Sequence, residues 1–358
     1  MNNNNNNTTT IQKKKGNQTQ NYLMYIVSKY RNISLLAGLM AVFAIFSHGL
    51  CIYPYNLLKV LMRASIIGTI AIGQTLVLFT GGIDLSVGSL FGFSLVINFL
   101  FLEKGYSPIM AATFGILATM LLGILNGVLV VRTKVPAFII TLSSMMMIGS
   151  LNLTMVGAKA MLFDGTKEMV EIAVRDIPFG FDLLPIVIWL IFSLIISKIL
   201  TSASYGYNLY ALGGNETAAK YSGVKVKLIK SSVYIFSAFF AALAAFLYIY
   251  RLGVAKPDVG ADYLLESVAA AVIGGTSLFG GEGNVMGTMI GAIIMAMLIN
   301  FMNIMQVNPY IQTMIEGIIL ILVVFVLSNK MKDMERIFLM KNMAKPITNT
   351  NVRPKDKK

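Results

Sequence analysis

Apolar stretches follow one another through residues 33–329, separated by short polar or glycine-rich segments. Those at about 33–53, 62–80, 87–102, 109–131, 136–157, 184–201, 230–250, 285–305 and 311–329 have the length a bilayer asks of a helix. One more, 267–281, is short and rich in glycine. Transporters break a helix in such segments, or turn it back to the side it came from. The pattern predicts an all-α integral membrane protein of about ten transmembrane helices, with one broken or re-entrant segment.

Charge gives the expected orientation. Basic residues without acids mark the start (Lys13, Lys14, Lys15, Lys29, Arg31) and the turn at Arg132 and Lys134. Loop 202–229 sets Lys220, Lys225 and Lys227 against Glu216, and the chain from Lys330 onward is strongly basic. By the positive-inside rule these four belong to the cytoplasm. Segments 158–183 and 251–266 carry an acidic excess, which suits the outside. Ten spans meet every assignment, whereas nine or eleven would put one terminus on the wrong side. The expected organisation is a disordered cytoplasmic tail at 1–32, a membrane domain at 33–329 and a basic cytoplasmic tail at 330–358. The Asn-rich start cannot bury enough surface to fold. The first apolar stretch is too long for a signal h-region and lacks an A-x-A-like cleavage site, so it reads as an uncleaved span.

Composition excludes the soluble classes: 56% of the 358 residues are hydrophobic and only 13% charged. The net charge of +13 sits at the ends and in loops rather than along a helix face between aromatics. That distribution speaks for a membrane surface, not for nucleic acid. A single cysteine, Cys51, and a single histidine, His48, leave no disulfide framework and no Cys- or His-based metal site. Both read as structural residues near the outer end of the first span.

Three stretches carry candidate chemistry. In GQTLVLFTGGIDLSVGS (73–89), Gly81 and Gly82 interrupt an apolar run ahead of Asp84, Ser86 and Ser89. A carboxylate there is costly unless paired or functional; Asp84 either caps the next helix or meets a polar substrate. In VAAAVIGGTSLFGGEGNVMGTMIGA (268–292), Gly283, Gly287 and Gly291 recur at i+4 and suit close helix packing. Thr276 and Ser277 sit at an expected helix break. In YALGGNETAAKYSGVKV (210–226), Asn215 can cap a short helix that begins at Glu216 and ends at Gly223. Such a helix is either a docking element for a soluble partner or a solvated surface helix. Two likenesses hint at inverted five-helix halves: GGIDLSVGS with GGTSLFGGEGN, and Leu125-Asn126 before Pro136 with Ile299-Asn300 before Pro309.

In order and spacing the three motifs resemble the ribose/xylose/galactose branch of bacterial ABC importer permeases, over residues 57–330. The Gly81–Ser89 motif and the Ala218-Ala219…Gly223 signature carry the likeness, together with Asn126-Gly127 to Pro136-Ala137-Phe138-Ile139 and Tyr263 through Ala292. The resemblance implies a multi-pass protein of the bacterial cytoplasmic membrane that imports a monosaccharide. It implies a coupling helix with Gly214, Asn215, Glu216, Ala218, Ala219 and Gly223 at the joint to a cytoplasmic ATP-binding subunit. That partner would use the ATP, and this chain would hold no cofactor. It also implies an external sugar-binding protein, met in part by 158–183, and a second permease chain, identical or related. One departure is Glu316, where the family often has a basic residue.

The chain itself has no Gly-x-x-x-x-Gly-Lys-Ser/Thr loop for nucleotide phosphates and no hydrolytic or redox constellation, so it reads as a transport subunit rather than an enzyme. An ion-coupled secondary transporter is the second reading, and a nucleoside or other polar-solute ABC permease a variant of the first. Secondary transporters usually carry several ionisable residues deep in the membrane; here Asp84 and Glu316 qualify, with Arg63 and Glu266 placed near the edges. Polarity and position put Gln74, Asp84, Ser86, Asn126, Thr276, Ser277 and Asn300 along the substrate path.

Overall fold

The structure is a computed structural model that describes residues 31–157, 161–162 and 183–325. Both tails and most of segment 158–183 lie outside the described residues. The rest is helical: α1 (Arg31–Phe46), α2 (Pro54–Phe79), α3 (Val87–Glu103), α4 (Pro108–Arg132), α5 (Ala137–Val156), α6 (Leu184–Ser202), α7 (Ser204–Gly214), α8 (Glu216–Tyr221), α9 (Val226–Leu252), α10 (Gly260–Ile273) and α11 (Val285–Ile304). A last helix, α12, covers Pro309–Phe325. Among the described residues six of these, α2, α4, α5, α6, α9 and α11, are long and apolar enough to cross a membrane, and α1, α3 and α12 are shorter apolar helices.

Helix α2 is the axis of the bundle. In its most apolar stretch 89% of the residues are buried, against 22% for α5. Both helices are apolar, so the difference is one of position: α5 turns Met146, Met147 and Leu151 outward, as a helix bathed in lipid does. Around α2 pack α9, α11, α10 and α6, while α9 lies along α4 with the most extensive helix contact among the described residues. Helix α1 joins from the side, with Phe43 stacked on Phe301 of α11 at 4.2 Å. His48 and Cys51 fall in the turn between α1 and α2, where Cys51 is buried.

Two boundaries differ from the sequence expectation. Helix α2 begins at Pro54 rather than near 62, since a proline suits the first turn of a helix and the polar Asn56, Lys59 and Arg63 continue it. Segment 251–266 is not wholly a loop either. Its first two residues end α9, Val254–Ala255 then pair antiparallel with Met161–Leu162, and its last part forms the start of α10. The short glycine-rich segment therefore ends as a helix at Ile273, and residues 274–284 run on as a loop.

Helices α3 and α10 begin against each other. A Cβ on Gly88 would overlap the carbonyl oxygen of Gly260, and a Cβ on Gly260 would overlap that of Gly88. This reciprocal contact sets the start of α3 directly against the start of α10. The two loops that the sequence likeness had matched, 80–86 and 274–284, pack on one another: Phe279 lies beside Gly81, and the Gly281 N–H donates to the Phe79 carbonyl at 3.1 Å.

Candidate translocation site

The break between α2 and α3 is held by a buried polar cluster. Asp84 is fully buried, and its Oδ1 accepts from the Ser86 backbone N–H (3.0 Å) and hydroxyl (2.6 Å). Its Oδ2 accepts from the Ser237 hydroxyl of α9 at 2.8 Å. Gln74, one and a half turns before the end of α2, donates to the Asp84 carbonyl at 2.6 Å. Asn126 of α4 donates to Ser86 Oγ at 2.9 Å and accepts from Ser144 of α5. Thr141, also on α5, donates to the Ile83 carbonyl at 3.1 Å. The break thus binds four different helices, and Asp84 serves it as an Asx turn just ahead of α3 rather than as the cap itself.

Four of the seven expected path residues, Gln74, Asp84, Ser86 and Asn126, meet in this cluster. It is closed, with Asn126 the most exposed of the four at 3%. One acceptor, Gln74 Oε1, and one donor, the Tyr234 hydroxyl, are buried there without a hydrogen-bond partner; a Cβ on Gly82 would lie 2.7 Å from that hydroxyl. The other three lie elsewhere. Thr276 is buried in loop 274–284 with its hydroxyl unpartnered, and the Ser277 hydroxyl accepts from the Phe279 N–H at 3.2 Å. Asn300 forms a reciprocal amide pair with Asn56 at 2.8 and 3.0 Å. Asn56 and Gln74 are 74 − 56 = 18 residues apart on α2, about 27 Å at the helical rise. Asn300 therefore belongs to the far end of the bundle.

Sequence reasoning missed Ser237, Ser144 and Thr141, whose one signal was a small hydroxyl residue inside an apolar helix. It also missed the fully buried hydroxyl pair of Thr75 and Thr288, 2.8 Å apart, which ties α2 to α11. Glu266, expected at a membrane edge, is 1% exposed within α10 and forms an ion pair with Arg63 of α2 at 2.6 Å. Glu316 of α12 is buried within electrostatic reach of both, but among the described residues Arg63 forms its ion pair with Glu266.

The second half of the site is the connection between α6 and α9. Helix α8 runs where its caps put it: the Asn215 side chain accepts from the Ala218 N–H at 2.9 Å, and Gly223 turns the chain out with φ 85°. Glu216 and Ala218 are exposed and Ala219 is buried. Just upstream, the end of α7 is wedged against both glycine-rich loops. A Cβ on Gly213 would overlap the Phe79 carbonyl and the Gly281 N–H, while one on Gly214 meets open space. The Tyr210 hydroxyl donates to the Gly283 carbonyl at 2.9 Å, and its ring rests on Phe79 at 4.9 Å. The end of α7 thus touches the residues that flank the polar cluster on both glycine-rich loops.

Residues 56–324 match the sequence pattern of the family described as branched-chain amino acid transport system / permease component. The chain belongs to this permease family. Among known proteins the permease is 35% identical over 271 residues to the ribose import permease protein RbsC of Bacillus subtilis (strain 168), covering 76% of this chain and 84% of that one. It is 33% identical over 293 residues to the D-allose transport system permease protein AlsC of Escherichia coli (strain K12), covering 81% and 88%. Against the xylose transport system permease protein XylH of Haemophilus influenzae it is 30% identical over 377 aligned positions, covering 85% and 97%. No solved structure matches the permease. The motif-based resemblance to sugar-import permeases is thus upheld, and over nearly the span from which it was drawn.

Proposed function

We propose that this permease is the membrane-spanning subunit of an ATP-driven importer of a monosaccharide, a ribose-like pentose or a hexose. The family supports transport, and the ribose, allose and xylose permeases among its relatives support the sugar. The observation that carries the mechanism is the wedge of Gly213 and Tyr210 between the two glycine-rich loops. In this reading the buried Ala219 seats α8 on its own chain, while a cytoplasmic ATP-binding subunit grips the exposed Glu216, Ala218 and Gly223. Its ATP cycle moves α7 and α8, and the moving wedge opens and closes the break at 80–86. The sealed cluster at Asp84 is then a closed state of the path rather than a resting sugar site. An external binding protein delivers the sugar, and a second permease chain completes the pore. Ten spans with both termini in the cytoplasm agree with the charge asymmetry, and the Gly88–Gly260 contact agrees with two inverted halves meeting at α3 and α10.

The test is co-purification. The tagged chain, extracted from its own membranes in mild detergent, brings an ATP-binding subunit with it. Ala218→Glu with Gly223→Glu loses that subunit while keeping its own elution profile. A chain that travels alone, with sugar uptake following an imposed proton or Na⁺ gradient, would sink the reading in favour of ion coupling.

A further inference from the structure

Where α4 ends and α9 begins, the two helices and the connection from α8 enclose a groove of about 530 Å³. Lys220, Lys225, Lys227 and Lys230 line it, against one acid, Glu216. Glu216 pairs with Lys230 at 2.9 Å, and the other three lysines have no ion-pair partner among the described residues. Ammonium groups gathered around one groove repel one another unless an anion sits between them. The groove is also walled by Val130 and Val131, which a free inorganic anion would not require.

Helix α4 shows where an apolar portion of the ligand would lie. Leu121, Leu125 and Leu129 are exposed at 62%, 57% and 44%. Spaced four apart, they form one stripe along the helix. The next position on that stripe, Thr133, lines the groove. A track of exposed leucines thus leads to a lysine-rimmed pocket at the end of α4.

We propose that this groove binds the phosphate headgroup of an anionic phospholipid of the cytoplasmic leaflet, with an acyl chain along the α4 stripe. Basic pockets between helices on that side suit such headgroups. The inference rests on the cytoplasmic orientation given under Proposed function. It puts a lipid beside Glu216, at the root of the coupling segment, so that lipid charge biases the position of α8.

The test is a lipid titration of the purified, delipidated full chain, read by native mass spectrometry. The probes are dioleoyl phosphatidylglycerol and dioleoyl phosphatidylcholine, with inorganic phosphate as competitor. The wild type retains phosphatidylglycerol in preference to phosphatidylcholine, and millimolar phosphate does not displace it. Lys225→Gln with Lys227→Gln weakens phosphatidylglycerol binding about 25-fold, at about fivefold per lysine. Lys225→Arg with Lys227→Arg restores it, which separates charge from misfolding. Equal binding by the Gln variant overturns the proposal. Full displacement by phosphate does so too, assigning the groove to a free anion. A Gln variant that loses the ATP-binding subunit while titrating lipid as before overturns it by giving the lysines to a protein partner. If no ATP-binding subunit co-purifies at all, the importer reading fails while the lipid titration still stands or falls by itself.

Discussion

Asp84 is a fully buried carboxylate with three hydrogen-bond donors, so each donor matters more than it would at a surface. Ser237→Ala leaves Oδ2 without its donor, and an unmatched buried acceptor costs about 1–3 kcal/mol. The expected result is a lowered thermal midpoint of the detergent-solubilised permease. Arg63→Met is expected to be harsher, on the order of 3 kcal/mol, because it strands Glu266 at 1% exposure with Glu316 close by. A thermal series on Arg63→Met, Glu266→Gln and the pair checks this: the double variant should be more stable than Arg63→Met alone. At this scale the sequence was only partly legible. Asp84, Ser86, Gln74 and Asn126 stand out as polar residues in apolar runs, and they do meet. Ser237 lies 153 positions from Asp84, and nothing local distinguishes it from the many small hydroxyl residues that merely bond back to their own helix.

Among the elements, the breaks were legible and their partners were not. Paired glycines announce both loops, and Asn215 and Gly223 announce α8, because caps and left-handed turns are local chemistry. The start of α10 was hidden since Lys256, Asp258, Asp262 and Glu266 read as a polar loop. Glu266 is neutralised by Arg63, 203 positions away, and no hydropathy window can see that far. The wedge gives a paired prediction. Gly213→Ala pushes the end of α7 off the Phe79 carbonyl and should abolish most ATP-dependent uptake in reconstituted vesicles. Gly214→Ala, whose added methyl meets open space, should keep the elution profile and thermal midpoint of the wild type.

For the molecule as a whole, the arrangement of an apolar rim around a polar axis follows from hydropathy, but which helix takes the axis does not. Helices α2 and α5 are similarly apolar and differ fourfold in burial, and both hide polar groups, Ser65, Gln74 and Thr75 on α2 and Thr141, Ser144 and Asn152 on α5, so neither property in the sequence selects the axis. Topology can be measured directly. In a Cys51→Ser background, cysteines at 134 and 222 should react with an impermeant maleimide only in inside-out vesicles. A cysteine at 256 should react only in right-side-out vesicles. The reverse pattern, or both cytoplasmic probes on opposite sides, would overturn the ten-span orientation.

The brevity of α10 also has a consequence for biosynthesis. Its 14 residues amount to about 21 Å of helix, well short of the roughly 30 Å hydrocarbon layer, and it carries Asp262 and Glu266 in its first half. A segment so short and so charged has little reason to leave the translocon for lipid unaided. It must be received by helices already in place, α2 with Arg63 above all, and completed by α11, against which it packs. A nascent chain that stops after residue 284 should therefore leave 260–273 outside the bilayer and open to protease, whereas one extended through residue 304 should secure it.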